Sequence, residues 1–134
     1  MLGRVTYEGF AAAWPEREGE FADRMNALPK YVVSSTLEEP LAWNNSTSLH
    51  GDAVGAITAR KQQPGGPLVV FGSATLVRAL LDHDLVDGLR RMVFPLIIGG
   101  GLSCFPESLH KAAFAPAEST TFPSGVTVVS YRRP

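Results

Sequence analysis

The sequence predicts an α/β domain: a mainly parallel, twisted sheet flanked by helices and finished by a C-terminal antiparallel hairpin. Three observations lead there. Helical spacing and short β-rich runs alternate along most of the chain. Leu68-Val69-Val70-Phe71 is continuously apolar between turn signals, the pattern of a strand buried on both faces in a parallel sheet. Pro123-Ser124-Gly125 separates two strand-like runs, Ala113 to Phe122 and Gly125 to Arg132, with turn chemistry suited to a hairpin.

The elements follow in order. Arg4 to Trp14 reads as a helix, with Thr6 as N-cap candidate, Tyr7, Phe10 and Ala11 on one face, and Pro15 as the stop. Glu18 to Leu28 repeats the spacing with Phe21, Met25 and Leu28, and Pro29 ends it. Lys30 to Ser34 is a strand by its aromatic and β-branched content. Glu38-Glu39-Pro40 is a turn, and Trp43 to Leu49 is a polar stretch able to form a short strand. Asp52 to Gln63 is a helix with Val54 and Ile57 inward, broken by Pro64-Gly65-Gly66-Pro67. After the 68–71 run, Gly72-Ser73-Ala74-Thr75 turns into a helix carrying Leu76/Leu80 and Val77/Leu81 at i, i+4, closed by Asp82-His83-Asp84. Leu89 to Ile98 is the longest strand candidate, ending at Gly99-Gly100-Gly101; Ser108-Leu109 precedes the hairpin.

A chain of 134 residues is the size of one domain, and 1–134 is read as one. Apolar residues make up 45% and charged residues 19%, which excludes the composition of a disordered chain. The net charge is −1, from 12 basic and 13 acidic residues, so the basic surplus of a nucleic-acid binder is missing. Arg90-Arg91 and Arg132-Arg133 are short pairs only. The longest apolar run, Met92 to Ile98, is interrupted by Pro95 and is too short for a membrane span. With a single cysteine, Cys104, and no signal-peptide pattern at the start, the expectation is a cytoplasmic protein.

Ligands of open α/β sheets bind beyond the carboxyl ends of the strands, where helix N-termini present unpaired N–H groups. Three segments qualify. Phe71-Gly72-Ser73-Ala74-Thr75 offers a glycine at a strand exit, helix-start N–H groups and two hydroxyls, equipment for a phosphate or pyrophosphate. The same glycine turn is also the commonest way to join a strand to a helix. Gly3-Arg4-Val5-Thr6 supplies a guanidinium at a helix start, or simply a capped helix with a surface arginine. Ser34-Ser35-Thr36 is a hydroxyl cluster past a strand, suited to a ribose phosphate or to ordinary turn chemistry. His50, His83 and His110 have no metal-ligand spacing, and there is no Walker A, G-x-G-x-x-G or G-x-S-x-G motif. The residues alone point to an anion site and name no catalyst.

In order along the chain, these segments resemble the dihydrofolate reductase superfamily, in the branch that includes the C-terminal reductase domain of bacterial riboflavin biosynthesis proteins. The resemblance rests on Leu2-Gly3-Arg4-Val5-Thr6-Tyr7-Glu8-Gly9-Phe10 with Trp14-Pro15, on Leu28 to Thr36, and on Phe71-Gly72-Ser73-Ala74-Thr75-Leu76. Leu85 to Leu89 with Phe94 to Gly101 extends it to about Pro106. The resemblance implies an NADPH-dependent reductase that passes hydride to a small conjugated substrate, pterin-like or a riboflavin-pathway pyrimidine. By that analogy Gly3, Arg4 and Thr6 meet cofactor phosphates, and Ser34, Ser35 and Thr36 flank the adenosine ribose and its 2′-phosphate. Gly72, Ser73, Ala74, Thr75 and Leu76 hold the pyrophosphate or nicotinamide ribose.

Members of that branch place a strand, a loop over the nicotinamide and a helix before the G-R-x-T segment, whereas here Met1 directly precedes Leu2-Gly3-Arg4. The expectation is therefore a domain lacking the usual first strand and helix: a late start, a fragment, or a short protein completed by a partner chain. A homodimer is what the branch usually forms, and an exposed strand edge favours association. No catalytic residue is assigned: Glu8 and Asp23 are the candidate carboxylates for a proton donor, and solvent-facing helix positions are the alternative reading of each. The competing reading is a non-catalytic nucleotide-binding or interaction module.

Overall fold

The computed structural model describes residues 1–105 and 110–134. Ser108-Leu109, read as preceding the hairpin, and Pro106, the far end of the resemblance, lie outside the described residues. The chain divides into two compact units, Met1–Val77 and Arg78–Pro134.

The first unit carries a parallel three-stranded sheet in the order β1 (Leu2–Gly3), β2 (Lys30–Val33), β3 (Ser46–Leu49). Leu2 pairs with Val32 and Gly3 with Val33, while Lys30 to Val33 run level with Ser46 to Leu49. Two helices, α1 (Arg4–Ala13) and α2 (Glu20–Ala27), cross from β1 to β2, as parallel pairing demands. A third, α3 (Ala53–Lys61), follows β3. Strand alternation sends Val32 to one face and Tyr31 to the other. On the Val32 face the core is Leu2, Tyr7, Met25, Val32 and Trp43, with Phe10, Ala11, Trp14, Leu37 and Leu41 packed around it. On the other face the Arg60 guanidinium of α3 sits 4.2 Å from the Tyr31 ring centroid.

Local chemistry explains the boundaries. Asp52 caps α3, its Oδ1 accepting from the Gly55 N–H at 2.9 Å. Lys30 is buried, and its ammonium donates to the Met25, Asn26 and Leu28 carbonyls at 3.1, 2.9 and 2.8 Å, closing the C-terminal end of α2. It also stands 4.3 Å from the Trp43 ring centroid. Asn26 ties the same corner together, its side chain accepting from Trp43 Nε1 at 2.7 Å and donating to the Trp14 carbonyl at 3.1 Å.

Helix α4 (Ala74–Asp82) runs across the division and buries Leu76, Leu80 and Leu81, the face expected from the i, i+4 spacing. In the second unit the sheet is antiparallel, β4 (Gly88–Val93), β6 (Thr127–Arg132) and β5 (Ala115–Thr121) in that order across it. The hairpin is as expected: Thr121 pairs with Thr127 and Ala115 with Arg132, and a bulge falls between Pro116 and Glu118. Pro116 sits on an edge strand, the place in a sheet where proline is tolerated, and the bulge follows it.

Four local expectations change. Gly3, not Thr6, is the N-cap of α1, without a side-chain cap, because Gly3 leaves β1 in extended geometry directly into the helix. Thr6 lies in the first turn. In α2 the buried residues are Ala22 and Met25, while Phe21 and Leu28 are exposed; Phe21 instead meets Trp14 edge to face at 5.4 Å. The 68–71 run is not a buried strand. The Met1 amine donates to the Val69 carbonyl and the Phe71 N–H donates to the Met1 carbonyl, but Val69 and Phe71 remain 49% and 38% exposed. Two such bonds align a segment beside a strand without supplying the layers that bury both its faces. Finally, β4 stops at Val93 and does not reach Ile98. Pro95 cannot donate to a ladder and restricts Phe94 before it, so the chain leaves the sheet there.

Candidate functional site at the carboxyl ends of the parallel strands

The three parallel strands end at Gly3, Val33 and Leu49, and a cleft of about 490 Å³ opens beyond them. It is lined by Arg4, Val33, Ser34, Ser35, Thr36, Leu49 and Gly51. Residues distant in sequence meet there because parallel pairing puts every carboxyl end at one edge, where α1 also begins.

Arg4 is the charged group of the cleft. Its Nη1 donates to both Glu8 carboxylate oxygens, at 3.0 and 3.2 Å, one helical turn on. Both contacts fall on one nitrogen, so the pair fixes the guanidinium without engaging its Nε and Nη2. Each side chain is about half exposed, which makes this an orienting contact worth well under ~1 kcal/mol.

The hydroxyl cluster divides by role. Ser34 is buried, and its Oγ accepts from the Thr36 and Leu37 N–H groups, each at 3.1 Å, so it shapes the loop. Ser35 and Thr36 are exposed at the cleft. Beside them, Gly51 has φ 70° and no atom within 4 Å of where a Cβ would stand, leaving that wall open.

The Gly72–Leu76 segment comes to the start of α1 rather than into the cleft lining. Gly3 N–H donates to Ser73 Oγ at 2.9 Å, and Ser73 Oγ lies 2.9 Å from Thr6 Oγ1. Gly72 has φ 55°, and a Cβ there would stand 3.8 Å from the Thr6 side chain. Thr75 is exposed, whereas the Leu76 side chain is buried, so Leu76 can offer a ligand only its backbone. Arg4 is thus brought together with Ser34, Ser35 and Thr36, and Gly3 and Thr6 with Gly72 and Ser73.

Val33, Leu49 and Gly51 escaped the reading of the sequence as lining residues, and Glu8 was read as a solvent-facing carboxylate and not as the partner of Arg4. Glu8 had a signal, an acid four residues after Arg4. Leu49 and Gly51 were findable too, from the end of the Trp43–Leu49 run. Among the described residues no group of three or more His, Cys, Asp or Glu side chains is placed to hold a metal ion. No helix among them is long and apolar enough to cross a membrane.

The sequence profile of the RibD C-terminal domain matches residues 1–128. The chain belongs to the RibD C-terminal domain family. A curated relative of this RibD C-terminal domain, the uncharacterized protein YyaP of Bacillus subtilis (strain 168), is 26% identical over 117 residues. That match takes in 87% of this chain and 61% of YyaP, so the chain spans about three-fifths of that relative's length. Among solved structures, a protein assigned to riboflavin biosynthesis in Shewanella sp. PV-4 superposes with a TM-score of 0.79 at 22% identity, covering 99% of this chain and 72% of that one. A pyrimidine reductase-like protein from Corynebacterium diphtheriae NCTC gives 0.60 at 14% identity, with 98% and 73% covered. The RibD C-terminal domain therefore has the dihydrofolate reductase-like α/β fold that the ordered segments led us to expect.

Proposed function

We propose that this domain is an NADPH-dependent reductase that passes hydride to a small conjugated substrate, of the pterin-like or riboflavin-pathway pyrimidine class. The observation that supports it most is the meeting of Arg4 with Ser35 and Thr36 in one cleft at the carboxyl ends of parallel strands, in a chain of this family. A guanidinium with hydroxyls beside it suits a ribose phosphate, since the fork matches phosphate geometry and the hydroxyls complete the oxygen contacts. In this reading Arg4, Ser35 and Thr36 hold the 2′-phosphate, with Ser34 shaping their loop, and Gly3, Thr6 and Gly72 to Leu76 face the pyrophosphate and nicotinamide ribose. Bound there, NADPH supplies the hydride, and the protein supplies orientation and electrostatics.

The test is a titration with NADPH and NADH followed by nicotinamide fluorescence. Preferential binding of NADPH is expected. Arg4→Ala should reduce the preference about tenfold, the loss of one charge-assisted contact. An unchanged ratio removes Arg4 from the site.

One observation favours a second reading. The cleft lining offers a guanidinium, hydroxyls, apolar side chains and glycine, and among these residues there is no carboxylate or imidazole to move a proton. A non-catalytic nucleotide-binding module would look like this. Saturable NADPH binding with no NADPH oxidation in the presence of pterin-like and pyrimidine substrates would select it.

The same proposal includes a cytoplasmic homodimer. Its support is the second unit, where Met92, Val93, Phe94, Leu96, Ile97 and Ile98 are all at least half exposed. Contiguous apolar exposure of this kind marks an association surface.

A further inference from the structure

Ser73 sits in the turn before α4 with φ 51°. A side chain in that left-handed region costs on the order of 1 kcal/mol relative to glycine, and such residues persist only where surrounding contacts hold them. Gly72 beside it, at φ 55°, has no such penalty.

What holds Ser73 is its hydroxyl. It accepts from the Gly3 N–H at 2.9 Å and lies 2.9 Å from Thr6 Oγ1 and 3.0 Å from the Phe71 carbonyl oxygen. It joins residues about seventy positions away in the chain. These contacts leave a definite problem of proton counting. A serine hydroxyl has one proton, and the Phe71 carbonyl can only accept. When Ser73 donates to Phe71, it has no proton left for Thr6 Oγ1, and the Thr6 hydroxyl loses the bond that directs it. When Ser73 donates to Thr6, the Thr6 proton is released to point elsewhere. Each hydroxyl keeps its hydrogen throughout, and only the direction changes.

We propose that Ser73 is a positioning residue that sets the direction of the Thr6 hydroxyl. With an anionic ligand at the start of α1, Ser73 donates to Thr6 Oγ1 and Thr6 donates to a phosphate oxygen. Glycine at position 72 takes its φ of 55° without strain, and a Cβ there would make ordinary contact with the Thr6 side chain at 3.8 Å. The Ser73 hydroxyl is taken up by its protein partners, so whatever its backbone faces, its side chain acts through Thr6 and through the Gly3 N–H it anchors. The inference rests on the NADPH reading above and deepens it.

The experiment compares Ser73→Gly, Ser73→Ala, Thr6→Val and Thr6→Ser for NADPH affinity and thermal stability. Ser73→Gly removes the hydroxyl and also the backbone cost, so it should melt no lower than Ser73→Ala. Both should bind NADPH about five- to tenfold more weakly, as should Thr6→Val, while Thr6→Ser keeps the wild-type affinity. The double variant Ser73→Gly/Thr6→Val should lose no more than either single one, because the two hydroxyls act as one unit. Adenosine, which has no phosphate, should bind all of them alike. Wild-type NADPH affinity in Ser73→Gly overturns this inference alone, as do additive losses in the double variant. A loss confined to Ser73→Ala would trace the effect to backbone geometry and overturn it too. Absence of NADPH binding by the wild-type chain overturns both this inference and the function it rests on.

Discussion

In the parallel unit Val32 and Trp43 are closed off from solvent, whereas in the antiparallel unit Ile97 is 100% exposed and Ile98 87%. All four are apolar side chains, and Trp43 even sits in a polar stretch, so the difference lies in what covers them. The parallel sheet has helices on both faces: α1 and α2 over Leu2, Val32 and Trp43, and α3 over Tyr31. The antiparallel sheet has β5 exposed at every residue and β4 at all but Leu89. Crossover helices come with parallel pairing, while hairpins bring strands together without bringing a layer to cover them. The unit that completes its own core also carries the cleft. The unit that does not leaves Met92, Phe94, Leu96, Ile97 and Ile98 open to solvent.

Substitutions at matched chemistry sharpen this contrast. The largest effect belongs to Trp43→Ala, which removes a fully buried ring together with its contacts to Tyr7, Phe10, Lys30 and Asn26. It should cost about 3–5 kcal/mol in denaturant unfolding. A loss below about 1 kcal/mol would mean that the parallel unit is not closed around Trp43.

Next comes Lys30→Ala, which leaves the Met25, Asn26 and Leu28 carbonyls without their donor. The Asn26 carbonyl keeps a long contact from Asn45 Nδ2 at 3.4 Å, and the substitution should cost about 1–3 kcal/mol. A pH series tests the same group. Burial holds the Lys30 ammonium below its ordinary value of 10.5, so the folded chain binds this proton less tightly than the unfolded one. Stability therefore gains with rising pH between the lowered folded value and 10.5. Lys30→Met should lack that increment when denaturation midpoints of the two proteins are compared across the alkaline range.

The smallest effect on folding, and the one most able to break the comparison, is Ile97→Ser. On an open surface it should change the stability of the single chain by no more than about 0.5 kcal/mol. If a second copy covers that face, light scattering should show the dimer shifting toward monomer. A monomeric wild-type chain, or a variant dimer of undiminished strength, removes Ile97 from the association surface.

Much of this was readable from residues alone, and the misreadings share one cause. Lys30 to Val33 alternates and carries aromatic and β-branched side chains, and the hairpin has Pro123-Ser124-Gly125 at its turn; both are local signals with local outcomes. The 68–71 and 94–98 runs are as apolar as any buried strand, but burial is decided by neighbours, which composition does not name. Pro95 was the available warning in the second case. At the cleft, Arg4 and the 34–36 hydroxyls were visible because they are polar and follow β1 and β2. Val33, Leu49 and Gly51 line the same space with no chemical mark of their own. Thr6 was read as a cap because its residue type favours that position, yet its hydroxyl faces Ser73, a partner no local rule supplies.

The three carbonyls around the Lys30 ammonium have a practical meaning for chemical labelling. The chain has lysines at 30, 61 and 111, and the latter two are exposed. An amine-directed acylating reagent should modify Lys61 and Lys111 quickly and spare Lys30, whose nitrogen is enclosed by backbone oxygens and an indole face. Acylation of Lys30 then requires the end of α2 to open, so the label mapped to the Lys30 peptide, apart from that on the Met1 amine, becomes a clock for local opening of the parallel unit.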